Sequence, residues 1–139
     1  MVTIIDILMA INKQLKTVYP SVIIQSTDVK EGFNRPCFYV DIVDFDNELV
    51  METFDRKRAA FSLYYFPTDP NNYRMELLEV RETLQNAFIG ILNIGDGFNI
   101  HILDTETRIN DGVLNFDFEI EYYQRRNEIE LPYIQDMEI

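Results

Sequence analysis

The chain has 139 residues, 47% of them hydrophobic, and its 24 acidic and 12 basic residues give a formal net charge of −12. A chain of this length and composition buries enough apolar surface for one domain, which excludes a disordered protein. The charge argues against binding to nucleic acid or anionic membranes, because such binding needs Lys and Arg to replace counterions. It favours either plain solubility or a surface that tolerates nearby DNA without binding it.

The cysteine content and the N-terminal sequence indicate where the protein works. Cys37 is the only cysteine, so no internal disulfide can form and a reducing compartment is expected. The apolar N-terminal run is interrupted by Asp6 and Asn12 and lacks the basic start of a signal peptide. No stretch reaches the roughly 18 consecutive apolar residues of a membrane span. We therefore expect a cytoplasmic protein without a membrane anchor.

Residues 3–18 are predicted to form an amphipathic helix. Thr3 is a suitable N-cap, and Asp6 supplies the acidic half of a capping box. The spacing of the apolar residues predicts a buried stripe of Ile4, Leu8, Ile11, Leu15 and Val18. Tyr19-Pro20 ends the helix, and a short strand at 22–24 and a polar loop at 28–34 follow.

Two alternating segments predict the next strands. Their apolar faces are Phe38, Val40 and Ile42 in the first and Phe61, Leu63 and Tyr65 in the second. Pro36 precedes the first segment and Pro67 ends the second. The charged stretch at 44–58 between them is expected to form an exposed hairpin or an extended loop.

A second helix is predicted at 71–92, and a turn cluster at 93–97 follows it. Its buried stripe is expected to contain Tyr73, Leu77, Val80, Leu84, Phe88 and Ile91. A strand begins at Phe98, and Asn110-Asp111-Gly112 predicts a hairpin turn into a last strand of strict alternation. The inward residues of that strand are Leu114, Phe116, Phe118, Ile120 and Tyr122, and the outward ones are Asn115, Asp117, Glu119 and Glu121.

This order of elements predicts an α+β fold, with a largely antiparallel sheet of about five strands and two amphipathic helices packed on one face. Residues 1–127 are expected to form the single domain. Residues 128–139 form an apolar and acidic tail, whose large side chains are Ile129, Leu131, Tyr133, Ile134, Met137 and Ile139. A merely solvated tail does not need these residues, so we expect it to dock on a neighbouring subunit.

The sequence offers no set of residues for catalysis, cofactor binding or metal binding. His101 is the only histidine, and alternation places it on the polar face of its strand. Cys37 at a strand start is typical of a small buried residue. A calcium loop starting at Asp44 is excluded, because Leu49 replaces the required glycine and Asp55 replaces the final glutamate. We expect a protein that is not an enzyme.

Charged clusters leave two interpretations open. The two-residue spacing of Asp117, Glu119 and Glu121 is typical of a solvated strand face. Arg56-Lys57-Arg58 and Arg125-Arg126 concentrate the positive charge. These basic clusters either protect an edge strand and aid solubility, or they meet the acidic face of a neighbouring copy.

Three segments resemble a known family. They are EGFNRPCF at 31–38 after the N-terminal helix, YYFP at 64–67 at a strand end, and DGVLNF at 111–116 before the long alternating strand. The chain is similar over nearly its whole length to tail terminator proteins of Gram-positive phages and prophages. These motifs are structural rather than catalytic.

The resemblance implies a small α+β subunit that forms a hexameric ring on the last ring of the tail tube, stops its growth and presents the head-joining surface. Implied partners are further copies of the chain, tail-tube protein, head-completion protein and, in a contractile tail, sheath protein. It implies assembly in the bacterial host cytoplasm and incorporation into a phage or a bacteriocin-like particle. Alternatives are a head–tail joining protein and an acidic cytoplasmic adaptor or inhibitor.

We expect the protein interface in the charged stretch and the tail. Its predicted residues are Leu49, Val50, Met51, Phe54, Arg56, Lys57, Arg58, Leu131, Tyr133 and Ile134.

Overall fold

The computed structural model describes residues 2–25, 35–51, 53–95 and 98–125, and within them the chain forms two helices and six strands. In chain order these are α1 (Ile4–Val18), β1 (Ile23–Gln25), β2 (Cys37–Met51), β3 (Phe54–Phe66), α2 (Arg74–Ala87), β4 (Ile91–Gly95), β5 (Phe98–Asn110) and β6 (Val113–Arg125). The strands form one sheet in the order β1-β2-β3-β6-β5-β4. Only the β1–β2 pair is parallel among the described strands. The predicted α+β class is confirmed, with six strands in place of about five.

Helix α1 begins at the predicted capping box. The Thr3 hydroxyl accepts a hydrogen bond from the Asp6 backbone N–H at 3.2 Å, and the Asp6 carboxylate accepts one from the Thr3 N–H at 2.9 Å. Two of the four N–H groups that an α-helix leaves unpaired at its start are commonly satisfied in this way. The start of α1 is therefore fixed by local sequence.

The buried face of α1 is rotated from the predicted stripe. Its buried residues are Ile7, Ala10, Ile11 and Leu15. Of the predicted stripe, Ile4, Leu8 and Val18 are only half-buried. The apolar run over residues 4–11 surrounds much of the helix, so spacing alone does not select the face that the sheet covers. Ala10 lies on the covered face, and the larger Met9 is exposed.

Helix α2 is shorter than predicted, because it ends at Ala87 rather than near residue 92. Leu77, Val80, Leu84 and Phe88 are buried as predicted. Ile91 is exposed and begins β4. Gly90 has φ +76°, a conformation that favours glycine, and it turns the chain out of the helix. Residues 91–95 then pair with β5, which accounts for the additional strand.

The core lies between the helices and one face of the central strands β3 and β6. The inward face predicted for β6 is confirmed, with Leu114, Phe116, Phe118, Ile120 and Tyr122 all buried. Asn115, which was predicted to face water, is buried as well. The rings of Phe61 and Phe118 stack with centroids 5.6 Å apart, and those of Phe88 and Phe118 with centroids 5.4 Å apart. Phe118 therefore joins α2 to both central strands.

The charged stretch at 44–58 forms the far part of a β-hairpin, so the hairpin interpretation is confirmed. Strands β2 and β3 pair continuously from Cys37 with Phe66 to Met51 with Phe54, with bulges near residues 43 and 50. Residues 42–50 are all exposed, which shows that the rest of the described chain covers neither face of this part of β2. Neither described helix is long and apolar enough to cross a membrane.

Candidate protein-interaction surface

The far part of the β2–β3 hairpin, residues 44–51 and 53–58, is hereafter the hairpin end. Three of the predicted interface residues lie there and are substantially exposed: Leu49 by 54%, Val50 by 47% and Phe54 by 38%. The pairing of Leu49 with Asp55 and of Met51 with Phe54 places these apolar residues within a few positions of the turn. The hairpin end therefore presents a small apolar surface to solvent.

The arginines beside this surface are bound within the same chain. The Arg56 guanidinium donates to Glu48 and its Nε lies 4.0 Å from Glu121 Oε1. Glu48 first, and Glu121 less strongly, raise the pKa of Arg56. Arg58 Nη2 lies 3.4 Å from Glu119 Oε2. To bind a partner protein, these arginines would have to exchange the carboxylates of their own chain for groups of the partner.

The position of β3 corrects one part of the interpretation of its basic cluster. β3 lies between β2 and β6 in the sheet, so Arg56, Lys57 and Arg58 do not protect an edge, and that part of the interpretation is wrong. Strand alternation directs Lys57 to the opposite face from the two arginines. Its half-buried side chain pairs in register with Asn47 and Tyr122.

The carboxylates of β6 are half-buried rather than simply solvated, which corrects the sequence interpretation. Asp117 accepts from the Ser62 hydroxyl at 2.5 Å and from Arg108 at 3.0 Å. Glu119 and Glu121 pair with the two arginines of β3, as described above. The helix-free face of the sheet therefore carries a set of cross-strand ion pairs, which stabilise strand register rather than perform acid–base chemistry.

The candidate chemical groups lie apart from one another. His101 is exposed, which confirms the surface prediction. Cys37 is fully buried, and burial raises the pKa of its thiol despite the nearby Arg35. A thiol with a raised pKa is protonated near neutral pH and is a poor nucleophile. In the part of the chain that the structure describes, no group of three His, Cys, Asp or Glu residues is placed to hold a metal ion.

The remaining predicted residues have different outcomes. Leu131, Tyr133 and Ile134 lie outside the described residues, as does Arg126. Arg125 is exposed at the end of β6. Met51 pairs with Phe54 through its backbone.

A groove between α1 and strands β1 and β2 was not predicted from the sequence. It encloses about 450 Å³ and is lined by Leu8, Met9, Asn12, Lys13, Lys16, Ile24, Gln25 and Val40. Its sequence signal was present, because Met9 and its neighbours gave α1 more apolar residues than one face requires. Met9 is 63% exposed, so α1 carries apolar surface that the sheet does not cover.

Comparison with known proteins gives matches of two kinds. A family model described as "Phage tail terminator protein" matches residues 6–132. A solved chain from "Virion of native gene transfer agent (GTA) particle" superposes with a TM-score of 0.50 and 13% identity, over 84% of this chain and 92% of that chain. At this identity the structural likeness shows a shared fold. No curated protein matches the chain.

Proposed function

The chain belongs to the phage tail terminator family, and from this premise we propose that it forms a hexameric ring that caps the tail tube. Membership gives the chain a structural role in a phage tail, in contact with other tail proteins. The finer proposal is that the ring stops tube growth and then presents the surface on which head-completion proteins bind. The family match along most of the chain is the observation that carries it.

The chemistry of a growing tube supports a dedicated terminator. Identical rings that stack head to tail always leave one heterologous surface open, and this surface does not close by itself. A protein that binds the open surface without offering the same surface again ends growth. A ring with two different faces meets this requirement. Further proposed partners are sheath protein in a contractile tail, with assembly in the host cytoplasm before incorporation into a phage or bacteriocin-like particle.

We place the contact with the tube at the hairpin end. Leu49, Val50 and Phe54 are exposed apolar residues of this surface, and their burial against a partner would remove apolar area from water, which favours association. Arg56 and Arg58 border it on one face of the hairpin and Lys57 on the other, and we propose that their charge orients the approach of a partner. The proposed tail contact, between residues 128–139 and a neighbouring subunit, would add to ring cohesion.

Deletion of the gene from its phage or prophage tests the function. We expect tails of irregular length without heads, because an uncapped tube continues to add rings and offers no head-joining surface. Negative-stain microscopy measures both properties. Tails of normal length that lack heads would support the alternative of a head–tail joining protein. Normal tails joined to heads would contradict both, and would favour an adaptor or inhibitor.

Substitution at the hairpin end tests the contact. Leu49→Asp and Val50→Asp place charge on the proposed surface, so we expect a folded protein that no longer caps tubes. Ile89→Asp at the end of α2 is the matched control, because Ile89 is also an exposed large apolar residue. Equal capping by all three variants would be consistent with the proposed function but would show that the hairpin end does not contact the tube.

A further inference from the structure

The groove beside α1 is an apolar site that the described part of the chain leaves open. Leu8, Ile24 and Val40 are half-buried along it, and Met9 is exposed at its rim. Asn12 also lines the groove, and its buried side-chain oxygen has no hydrogen-bond partner among the described residues. The site therefore combines apolar walls with unused hydrogen-bonding capacity, which suits a peptide segment.

Beside the groove, the described strands leave part of one edge of β2 unpaired. β1 pairs with Cys37, Phe38 and Tyr39, and from residue 40 onward no described strand lies on that side of β2. The backbone N–H and C=O groups of such an edge are available to an added extended segment. An extended chain that enters the groove can thus form main-chain hydrogen bonds with β2.

Charge distinguishes this groove from other concave surfaces of the molecule. Lys13 and Lys16 lie at its rim, and its described lining contains no carboxylate. A second concave surface, near His101, includes Glu121. A third, on the helix-free face, includes Asp41, Asp104 and further acids. In a chain of net charge −12, this groove is therefore suited to an apolar segment that carries negative charge.

The C-terminal segment has this composition. Residues 127–139 contain four acidic and no basic residues, together with the six large apolar residues of the tail. Alternate positions Ile129, Leu131 and Tyr133 share one face of an extended chain. In such an extended chain Glu128 and Glu130 would be on the other face, where the lysines of the groove rim could meet them.

Geometry argues that the segment fills the groove of another copy. β6 ends at Arg125, which pairs beside Phe54, whereas Val40 at the groove pairs with Leu63. Phe54 and Leu63 are nine residues apart along β3, a distance of about 30 Å. Crossing it takes about nine residues of extended chain, out of the fourteen that follow Arg125. Ile129, Leu131 and Tyr133 would be used in the crossing and could not dock in their own groove.

We propose that the groove between α1 and strands β1 and β2 binds residues 128–139 of a second copy of this chain in extended form. This inference rests on the ring assembly of the proposed function. Each copy both donates a tail and accepts one, so the contact is heterologous and propagates around a ring until it closes.

Cysteine cross-linking of the full-length chain tests the site. Chains with Met9→Cys and chains with Ile134→Cys are mixed and oxidised gently, and the buried Cys37 is left in place. We expect a disulfide-linked species of twice the 16.5 kDa chain mass, containing one chain of each kind. Met75→Cys on α2 is the matched control, because Met75 is a methionine of similar exposure, 72% against 63% for Met9.

The outcomes separate the possible occupants. Equal cross-linking of Met75→Cys, or none with Met9→Cys at millimolar protein, overturns the proposal. A chain carrying both Met9→Cys and Ile134→Cys should cross-link between copies, and the yield should fall when oxidation is carried out at lower protein concentration. An internal disulfide that persists at all dilutions would assign the groove to the chain's own tail, and would also overturn the proposal. The microscopy of the gene deletion tests the capping function independently of this cross-linking. A failure of the groove proposal is therefore distinguishable from a failure of the proposed function.

Charge reversal gives a second test. Lys13→Glu with Lys16→Glu should weaken self-association about fivefold, since two exposed ion pairs are lost. Arg74→Glu with Arg81→Glu on the exposed face of α2 is the control with the same change in net charge. Sedimentation velocity measures both pairs. Equal weakening by the two pairs would show a general charge effect and contradict the groove.

Discussion

Glu76 anchors the start of α2 through one carboxylate oxygen. Its Oε2 accepts from the Tyr65 hydroxyl at 2.5 Å, from the Thr68 backbone N–H at 2.9 Å and from the Thr68 hydroxyl at 3.2 Å. Tyr65 is 4% exposed, so its hydroxyl has little access to water. We predict that substitution of Glu76 destabilises the fold much more than its position on a helix surface implies.

The magnitude follows from the groups left without partners. Tyr65→Phe removes one hydrogen bond to a charged acceptor and should lower the free energy of unfolding by about 1.5–3 kcal/mol. Glu76→Ala leaves the buried Tyr65 hydroxyl unpaired and removes the bonds to the exposed Thr68, whose N–H can turn to water, and should lower it by about 2–3 kcal/mol. In the double variant the hydroxyl no longer needs a partner, so the two losses should fall short of additivity by about 1–2 kcal/mol.

Urea unfolding of the four proteins measures this coupling. Glu79→Ala is the control, because Glu79 is exposed on the same helix and its loss should change stability by less than about 0.5 kcal/mol. A Glu76→Ala variant as stable as Glu79→Ala would refute the anchor. Strict additivity of Tyr65→Phe and Glu76→Ala would show that the two side chains do not interact in solution.

Three further predictions concern pH, packing and DNA. Burial first, and then Glu76, raises the pKa of Tyr65, and burial raises that of Tyr122. The stability that these raised pKa values contribute is fully present below about pH 10, and above it the free energy of unfolding declines by about 1.4 kcal/mol per pH unit for each tyrosine. Tyr65→Phe should therefore reduce the slope of the free energy of unfolding against pH, measured over about pH 9–11.5. Phe118→Ala should lower the free energy of unfolding by about 3–5 kcal/mol, and a loss below about 1 kcal/mol in the same urea assay would contradict its central position. The protein should not shift duplex DNA in a mobility assay at physiological salt, and a dissociation constant of about 1 µM or tighter would reveal a basic surface that the sequence does not indicate.

Local signals in the sequence were sufficient for several elements. The Thr3–Asp6 capping box was predicted because both of its hydrogen bonds join residues three positions apart. The inward face of β6 was predicted because its apolar and polar residues alternate strictly, and one face of the strand is buried. The turn at Asp111-Gly112 was predicted from its residues, and both have positive φ.

Features that depend on tertiary contacts were not predictable. Residues 91–95 were placed in a helix end and a turn, because their short apolar run does not distinguish helix from strand until β5 is beside it. The ion pairs of Arg56, Arg58 and Arg108 join different strands. They require the strand order, which spacing along one strand does not contain.

The candidate interaction surfaces also include one that local sequence predicts and one that depends on tertiary contacts. The exposed apolar residues of the hairpin end were predicted from a charged stretch that contains Leu49, Val50 and Phe54, a combination visible in the sequence alone. The groove brings together residues 8–16, 24–25 and 40, which no local pattern connects. Its existence depends on which face of α1 the sheet leaves uncovered, and that face was the part of the helix prediction that was wrong.

The strand order has a consequence for synthesis of the protein. β2 pairs with β3, and β5 with β6, over short turns, but the central seam joins residues 54–65 to 114–125. Closing this long-range pairing is entropically slow compared with forming either hairpin. The seam cannot form on the ribosome until residue 125 has been made. Until then the edges of β3 and β5 are open to neighbouring nascent chains, so slow translation of β6 should increase aggregation.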